Sequence, residues 1–349
     1  MKPIKKALLT AGLIVCIVLL KLMLPVSAGQ FPETITQEEF LEIQKKADTC
    51  FNFVSNNGIL TLRYEKGKAS VAYEHYGTLD NLLTSEEQKL FSKTTKIVDH
   101  ENVDVYFLHH GDLEPQSLQD KPSTAKPNSE EYWKSYLFAK KRRIFDKAQN
   151  PQPMDAQDLP EYLQKNKVLF YTGAGISISG GVWGMDALCN ALELDFKKFK
   201  KDPKEFLKIL INKKEQIYAT FKKFCQMMFY NPPTKAHRAL ASIAKKLKAP
   251  ILTENLDYLH EQTGIKPHRL YDVEKSKKLF PGKFLKTVNA VVCIGLSFDD
   301  KAFMTLYKQQ NPNGKIISLD LKQPNYLGSE DLFVKGDLQE IMVSIDKNI

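Results

Sequence analysis

Five short apolar runs, at residues 168–171, 250–253, 290–294, 315–319 and 332–334, are separated by stretches of helical character. Uninterrupted apolar strands alternating with helices predict an α/β fold, a doubly wound parallel sheet covered on both faces. A third observation sharpens the class. The first run breaks into Thr172-Gly173-Ala174-Gly175-Ile176-Ser177, the strand-to-turn pattern of Rossmann-like sheets.

Taken in order, the chain opens on Lys2, Lys5 and Lys6, an apolar run over 7–20, and a small-residue exit, Val26-Ser27-Ala28, before Gly29. This is the layout of a signal peptide over 1–28, so a secreted or periplasmic protein is expected. The alternative is an uncleaved membrane anchor, because Lys21 is followed by Leu22, Met23 and Leu24. Of 349 residues 43% are hydrophobic and 26% charged, which excludes wholesale disorder. Losing the four lysines of 1–28 lowers the formal charge from +9 to +5.

Residues 29–150 predict a mixed α+β N-terminal region, with the sheet domain over 151–349. Phe40, Leu41, Ile43, Ala47 and Phe51 stand at helical spacing within 37–54. Segments 59–64 and 69–73 read as a hairpin about Lys66-Gly67, and 103–108 as a further strand. Pro, Ser, Asp and Lys dominate 112–129, a linker, while 132–148 reads as helix and 151–160 as a second break. Between 197 and 224 lysines interleave with Phe199, Phe206, Leu210, Ile217 and Phe221. That predicts a small helical insertion with one apolar face and one solvated lysine face, and no nucleic-acid partner. The five cysteines (16, 50, 189, 225 and 293) form no C-x-x-C, so no zinc ribbon is expected. Export would permit disulfides among the last four, and Cys293, inside an apolar run, reads as a buried thiol.

In parallel sheets ligands bind at the carboxyl ends of the strands, and here those ends are polar. The glycine turn is followed by a helical stretch at 186–194, so a strand, a turn and a helix N-terminus would aim N–H groups and a positive dipole end at a pyrophosphate. The fingerprint G-x-G-x-x-G lacks its third glycine, which is Ile178, and no G-K-[ST] of a P-loop follows. The second strand ends in Thr253-Glu254-Asn255-Leu256-Asp257-Tyr258-Leu259-His260, the third in Gly295-Leu296-Ser297-Phe298-Asp299 and the fourth in Ser318-Leu319-Asp320. Gly336-Asp337 opens the last helix. From these residue types, Gly173, Ala174 and Gly175 would approach a pyrophosphate closely, and the Ser177 and Ser297 hydroxyls would donate to phosphate oxygens. Asn255 and Asp257 would bond a carboxamide and a ribose hydroxyl, and Ser318 or Asp320 the adenosine ribose. Each has a plainer alternative in capping or turn formation. Asp299 and Asp300 read as helix caps, His237 and His260 as packing or hydrogen-bonding residues, and His109-His110-Gly111-Asp112 as a surface turn.

Over about 165–347 the order and spacing resemble the sirtuins. That family shows G-A-G-I-S, P-x-x-A-H-x-A-L, T-Q-N-I-D-G-L-H, G-T-S-L and G-D. The matches here are Gly173-Ala174-Gly175-Ile176-Ser177, Ala236-His237 with Ala239-Leu240, Thr253, Asn255, Asp257, Leu259 and His260, Gly295 with Ser297, and Gly336-Asp337. The run from Ile294 to Asp300 is also similar to the G-[YF]-S-F-x-D element of sirtuin-like NAD hydrolases. The resemblance implies NAD as cofactor, Gly295 and Ser297 at the phosphates, Asp337 near the adenine, and cleavage of the nicotinamide–ribose bond. Water, an acyl-lysine or a protein side chain would be the acceptor.

The departures are equally specific. Where the family continues S-G-I-P-D-F-R, this chain has Gly180-Gly181-Val182-Trp183-Gly184-Met185-Asp186, leaving Trp183 as the one aromatic for a gate. The family's catalytic histidine lies in E-L-H-G, and Arg269-Leu270-Tyr271-Asp272 puts Tyr271 there. A tyrosine, with an ordinary pKa of about 10, is a poor general base near neutral pH. His268 is the substitute candidate. The zinc module and the acyl-lysine-binding F-G-E segment have no counterpart, so no zinc is expected. NAD hydrolysis or ADP-ribosyl transfer then fits better than deacylation. The rival reading is a catalytically inactive NAD- or ADP-ribose-binding or interaction protein, a secreted effector among its forms.

Overall fold

A computed structural model describes residues 33–54, 57–98, 101–114, 150–194, 203–270, 282–299 and 302–349. The signal segment, the helix expected at 132–148, most of the linker, Asp300 and Tyr271 lie outside them. The strands, in chain order, are β1 (Glu33–Thr34), β2 (Asp48–Val54), β3 (Gly58–Glu65), β4 (Lys68–Tyr76), β5 (Ser92–Val98), β6 (Glu101–Gly111) and β7 (Gln152–Pro153). They continue as β8 (Val168–Thr172), β9 (Ile251–Thr253), β10 (Ile265–Lys266), β11 (His268–Arg269), β12 (Ala290–Ile294), β13 (Lys315–Asp320) and β14 (Leu332–Lys335). The chain divides into two compact units, each assembled from separated stretches.

The first unit takes residues 47–134 and 189–222 around an antiparallel sheet of order β2-β3-β4-β6-β5. The expected hairpin is β3 and β4, turned at Lys66 (φ 49°) and Gly67 (φ 84°), two left-handed residues as a tight hairpin turn requires. The helix expected over 37–54 stops early. It covers Gln37–Lys45, and the rest of that span is β2. Phe51 and Phe53 suit a strand's period of two as well as the helical spacing, and pairing with β3 decides between them. The lysine-rich stretch is helical, as expected, over Pro203–Tyr230, with Phe206, Leu207, Leu210, Ile217 and Phe221 all buried. Phe206 lies 5.8 Å from the Tyr73 ring and Phe221 meets Phe51 edge-on at 6.1 Å. Residues 189–222, expected within the sheet domain over 151–349, thus group with the antiparallel sheet.

The second unit is the predicted α/β layer structure. Its sheet runs β11-β9-β8-β12-β13-β14-β7, with every pair parallel. The five apolar runs are β8, β9, β12, β13 and β14, and the two-residue strands β7 and β11 close the edges. Every residue of β8 and β12 is buried, which is why they read as unbroken apolar runs. Alternation sends Val168, Phe170, Val292 and Ile294 to one face, under helices Leu159–Lys165, Lys235–Leu247 and Leu338–Asn348. Leu169, Tyr171, Val291 and Cys293 face the other, toward helix Phe303–Gln310. Cys293 is a buried free thiol. β1 and β10 form a separate antiparallel pair.

Candidate functional site

The site grows from the turn after β8. Gly173 donates its N–H to Ile294 O (3.1 Å) and Gly175 donates to Gly295 O (2.8 Å), so the turns after β8 and β12 are bonded to each other. The glycines are needed for that contact. A methyl group on Gly175 would lie 2.6 Å from the Gly295 Cα, and one on Gly295, at φ +60°, would lie 2.5 Å from the Ile176 nitrogen. The backbone approach that Gly173 and Gly175 permit is thus toward the β12 turn, and Ala174 is the exposed residue between them. The helix that follows is a single turn, Gly175–Ile178, and the longer one expected at 186–194 is Met185–Ala191.

From the neighbouring strand, Asn255 sends its side-chain amide to Gly173 O (3.0 Å) and to the Ser177 hydroxyl (3.3 Å). Ser177 in turn donates to Asp257 (2.6 Å), which also accepts from the Leu259 amide (3.2 Å). All three side chains are buried. Burial pushes the Asp257 carboxyl above its usual range, and the Ser177 and Leu259 donors pull against that shift. Beneath them Thr172 meets Thr253 (2.8 Å) and His260 Nε2 (2.9 Å), and His260 stands edge-on to His237 at 4.8 Å. His237 is the third residue of helix Lys235–Leu247, where it forms a capping box with Thr234, whose hydroxyl also donates to Ile176 O (3.1 Å). Burial lowers both imidazoles, His237 to about 3, so both are neutral packing groups at physiological pH.

The structure thus brings together Gly173, Ala174, Gly175, Ser177, Asn255, Asp257 and Gly295. Ser297 lies on the same turn as Gly295 and is exposed. Ser318 is buried in β13 and shares a hydrogen bond with the Tyr326 hydroxyl (3.1 Å), which donates to Leu296 O (2.7 Å) and so holds the β12 turn from below. Asp320 stands at the end of β13 and accepts from the Lys322 amide (3.3 Å). Asp337 is exposed and caps the last helix through the Gln339 amide (2.7 Å), the plainer of its two expected roles. Asp299 caps the helix after β12, accepting from Phe303 N at 2.8 Å. His268 is half-buried on the edge strand β11, in register with Leu252 and short of the strand ends. Trp183 is half-buried with the Lys223 ammonium 5.7 Å from its ring centre. Among the described residues no three His, Cys, Asp or Glu side chains gather as metal ligands would.

Three participants carried no separate signal in the sequence. Tyr326 comes from a loop between β13 and β14. Arg269 pairs with buried Glu261 and lays its guanidinium 4.5 Å over the Tyr258 ring, fixing the 253–261 loop, where Tyr258 is left-handed at φ +53°. Glu254 accepts a hydrogen bond from the Tyr171 hydroxyl. Its only signal was its place in the polar burst beside Asn255.

Residues 173–278 match the Sir2 family model. The chain is 32% identical over 110 residues to an NAD-dependent protein deacylase of Helicobacter pylori (strain J99), covering 29% of this chain and 41% of the relative. It is 25% identical over 130 residues to the NAD-dependent deacetylase sir2E of Dictyostelium discoideum, covering 34% and 35%. The matched segments thus span about two fifths or less of these curated relatives. A solved Sir2 homologue in complex with NAD aligns with TM-score 0.42 at 16% identity, over 58% of this chain and 96% of its own. A Sir2 bound to acetylated peptide aligns with TM-score 0.40 at 16% identity, over 56% and 98%.

Proposed function

We propose that this chain, a distant member of the Sir2 family through residues 173–278, binds NAD at the carboxyl ends of β8, β9 and β12 and breaks its nicotinamide–ribose bond. The observation that carries the reading is the junction of the two glycine turns with Asn255, Ser177 and Asp257. It sets interlocked backbone and a buried polar relay where a parallel sheet offers a ligand its strand ends.

Exposure assigns the phosphate contacts, and place at the end of β9 assigns the ribose contact. Ala174 and Ser297, on the solvent side of the paired turns, would meet the phosphates. Asn255 would hold the nicotinamide ribose, with Ser177 and Asp257 fixing its amide from behind. Ile178, Phe298 and Leu321 are 57%, 55% and 64% exposed on turns or helix ends after β8, β12 and β13. Large apolar side chains left in water at the carboxyl end of the sheet suit a flat, weakly polar base such as adenine. Asp337, past the carboxyl end of β14, is retained as the polar contact to the adenine side. His268 remains the candidate imidazole, and Tyr271 keeps its place by resemblance alone.

In the proposed reaction the pyridinium nitrogen takes the bonding pair as nicotinamide leaves, and charge passes to an oxocarbenium-like ribose. Preorganised dipoles at the site would stabilise that charge. NAD hydrolysis or ADP-ribosyl transfer is favoured over deacylation because the sequence between Tyr271 and β12 holds no match to the family's acyl-lysine-binding F-G-E segment. Export is proposed on the N-terminal pattern and is tested by N-terminal sequencing of the protein from the culture medium or periplasm.

Purified protein is incubated with NAD and nicotinamide release is followed, with N255A and H268A alongside. Release that collapses in N255A is expected. Tight NAD binding without release, at any protein concentration, would favour the rival reading of an inactive NAD-binding protein. Release unaffected by N255A would overturn the site assignment.

A further inference from the structure

One carboxylate beside Asn255 carries none of the roles proposed above. Glu254 is the first residue past β9, next to Asn255, and its amide donates to Thr172 O at 3.1 Å. Its carboxylate accepts from the Tyr171 hydroxyl, which rises from β8 on the Cys293 face. Tyr171 is fully buried and meets Phe303 edge-on at 5.2 Å, so it is a rigid support. The sirtuin pattern T-Q-N-I-D-G-L-H has an uncharged glutamine where this chain has Glu254.

The other titratable groups around Asn255, like Glu254 itself, have protein partners, and they differ from it in burial or position; His268 stands half-buried on β11, level with Leu252 and short of the strand ends. Asp257 is buried and bound to Ser177 and Leu259. Glu261 is buried against Arg269, and Asp299 is buried under the amides of helix Phe303–Gln310. His237 and His260 are buried against each other. Asp320 and Asp337 stand at the ends of β13 and β14, two and three strands from β8, and serve backbone amides. Glu254 is half-buried, with part of its surface in solvent at the strand ends.

We infer that Glu254 is the catalytic carboxylate of this site and that it makes water the acceptor. The inference rests on the reading that NAD binds here. As the C–N bond breaks, nicotinamide leaves neutral with the electron pair and needs no proton. The carboxylate faces the positive charge that develops on the ribose, as carboxylates do in glycoside hydrolysis. It then takes a proton from water as the water oxygen bonds to the anomeric carbon, and releases that proton to solvent. The products are nicotinamide, ADP-ribose and one proton. Tyr171 acts through Glu254 and is a positioning residue. Burial raises its phenol well above the usual range, which keeps it a donor throughout.

The test compares the full chain with E254Q, E254D and Y171F, measuring NAD binding by calorimetry and nicotinamide release across pH. E254Q is expected to bind NAD within about threefold of the parent while release falls by about 10² or more, the usual size of a general-base contribution. The acid limb of its kcat profile, set in the parent by protonation of the carboxylate, is expected to vanish. E254D should keep that limb at a reduced rate. Y171F should move the limb to higher pH, because the carboxylate loses a donor that favours its charged form. Release by E254Q within about threefold of the parent, or an acid limb unmoved in both E254Q and Y171F, overturns the carboxylate assignment while the NAD reading stands. A parent chain that neither binds NAD nor releases nicotinamide overturns both.

Discussion

Replacing Gly295 by alanine tests the contact on which the whole site depends. Gly295 sits at φ +60°, where an L-residue is strained by about 1–2 kcal/mol. Its new methyl would meet the Ile176 nitrogen at 2.5 Å and the Gly175 carbonyl carbon at 2.6 Å. Both are backbone atoms, so no side chain can swing away, and ordinary contact lies about 1 Å further out. Overpacking of this kind costs about 1–3 kcal/mol. The two terms together predict a loss of roughly 2–5 kcal/mol, or on the order of 5–15 °C in Tm for a unit of this size. Gly264 is the internal control. It has φ +78° in the same unit, and a methyl there would come no nearer than 3.8 Å to any neighbour, Ile35 O, so G264A carries the strain term alone, about 1–2 kcal/mol. Thermal unfolding followed by circular dichroism gives both shifts. The expected order is parent above G264A above G295A, with nicotinamide release lost in G295A. Equal Tm values for G295A and G264A would refute the packing of the β12 turn against the β8 turn.

Three further outcomes follow from buried polar groups. His237 and His260 have folded pKa values below their unfolded value of about 6.5, so they favour the fold above that pH and lose the contribution as pH falls below it, His237 down to about 3. Urea unfolding should therefore weaken below pH 6.5 by up to about 1.4 kcal/mol per pH unit for each histidine, and H237Q should show a shallower loss than the parent. Asp257 runs the other way. Its folded pKa is raised, so its contribution is fully present below about 3.9 and diminishes as pH rises through the folded value, and D257N should flatten that segment of the stability profile. Arg269→Met leaves Glu261 buried without its partner, which should cost about 3–5 kcal/mol in urea unfolding, with much of the loss recovered in the R269M/E261Q double variant. A double variant no better than R269M would show that Arg269 acts through its stack on Tyr258 instead.

The central strands were legible because burial on both faces removes polar residues from the sequence, as β8 and β12 show. β5, Ser92–Val98, was not, since its polar residues Lys93, Thr94, Thr95 and Lys96 match no buried pattern and its place comes from pairing with β6. The end of the first helix was missed for a related reason: Phe51 fits both periods, and the choice is made by a partner strand. At the site, the strand-end residues announced themselves as polar letters where apolar ones were expected. What each one touches was less legible. Asp337 and Asp257 look alike as letters, yet one caps a helix in solvent and the other lies buried between Ser177 and Leu259. Tyr326 and Ser318 could be joined only by the chain's return, because the two stand eight positions apart across a strand end and a loop.

The antiparallel unit also imposes an order in time. Its sheet is complete at Gly111, but the helix bearing Phe206 and Phe221 begins at Pro203. At about 5–20 residues per second, the ribosome delivers that helix roughly 5–20 s after the sheet. Until then the aromatic face of Phe51 and Tyr73 waits for that helix, and the nascent chain must carry it bare or shielded by a chaperone. Translation speed across residues 112–202 is therefore expected to influence yield, in a stretch whose described residues contribute no strand to this sheet.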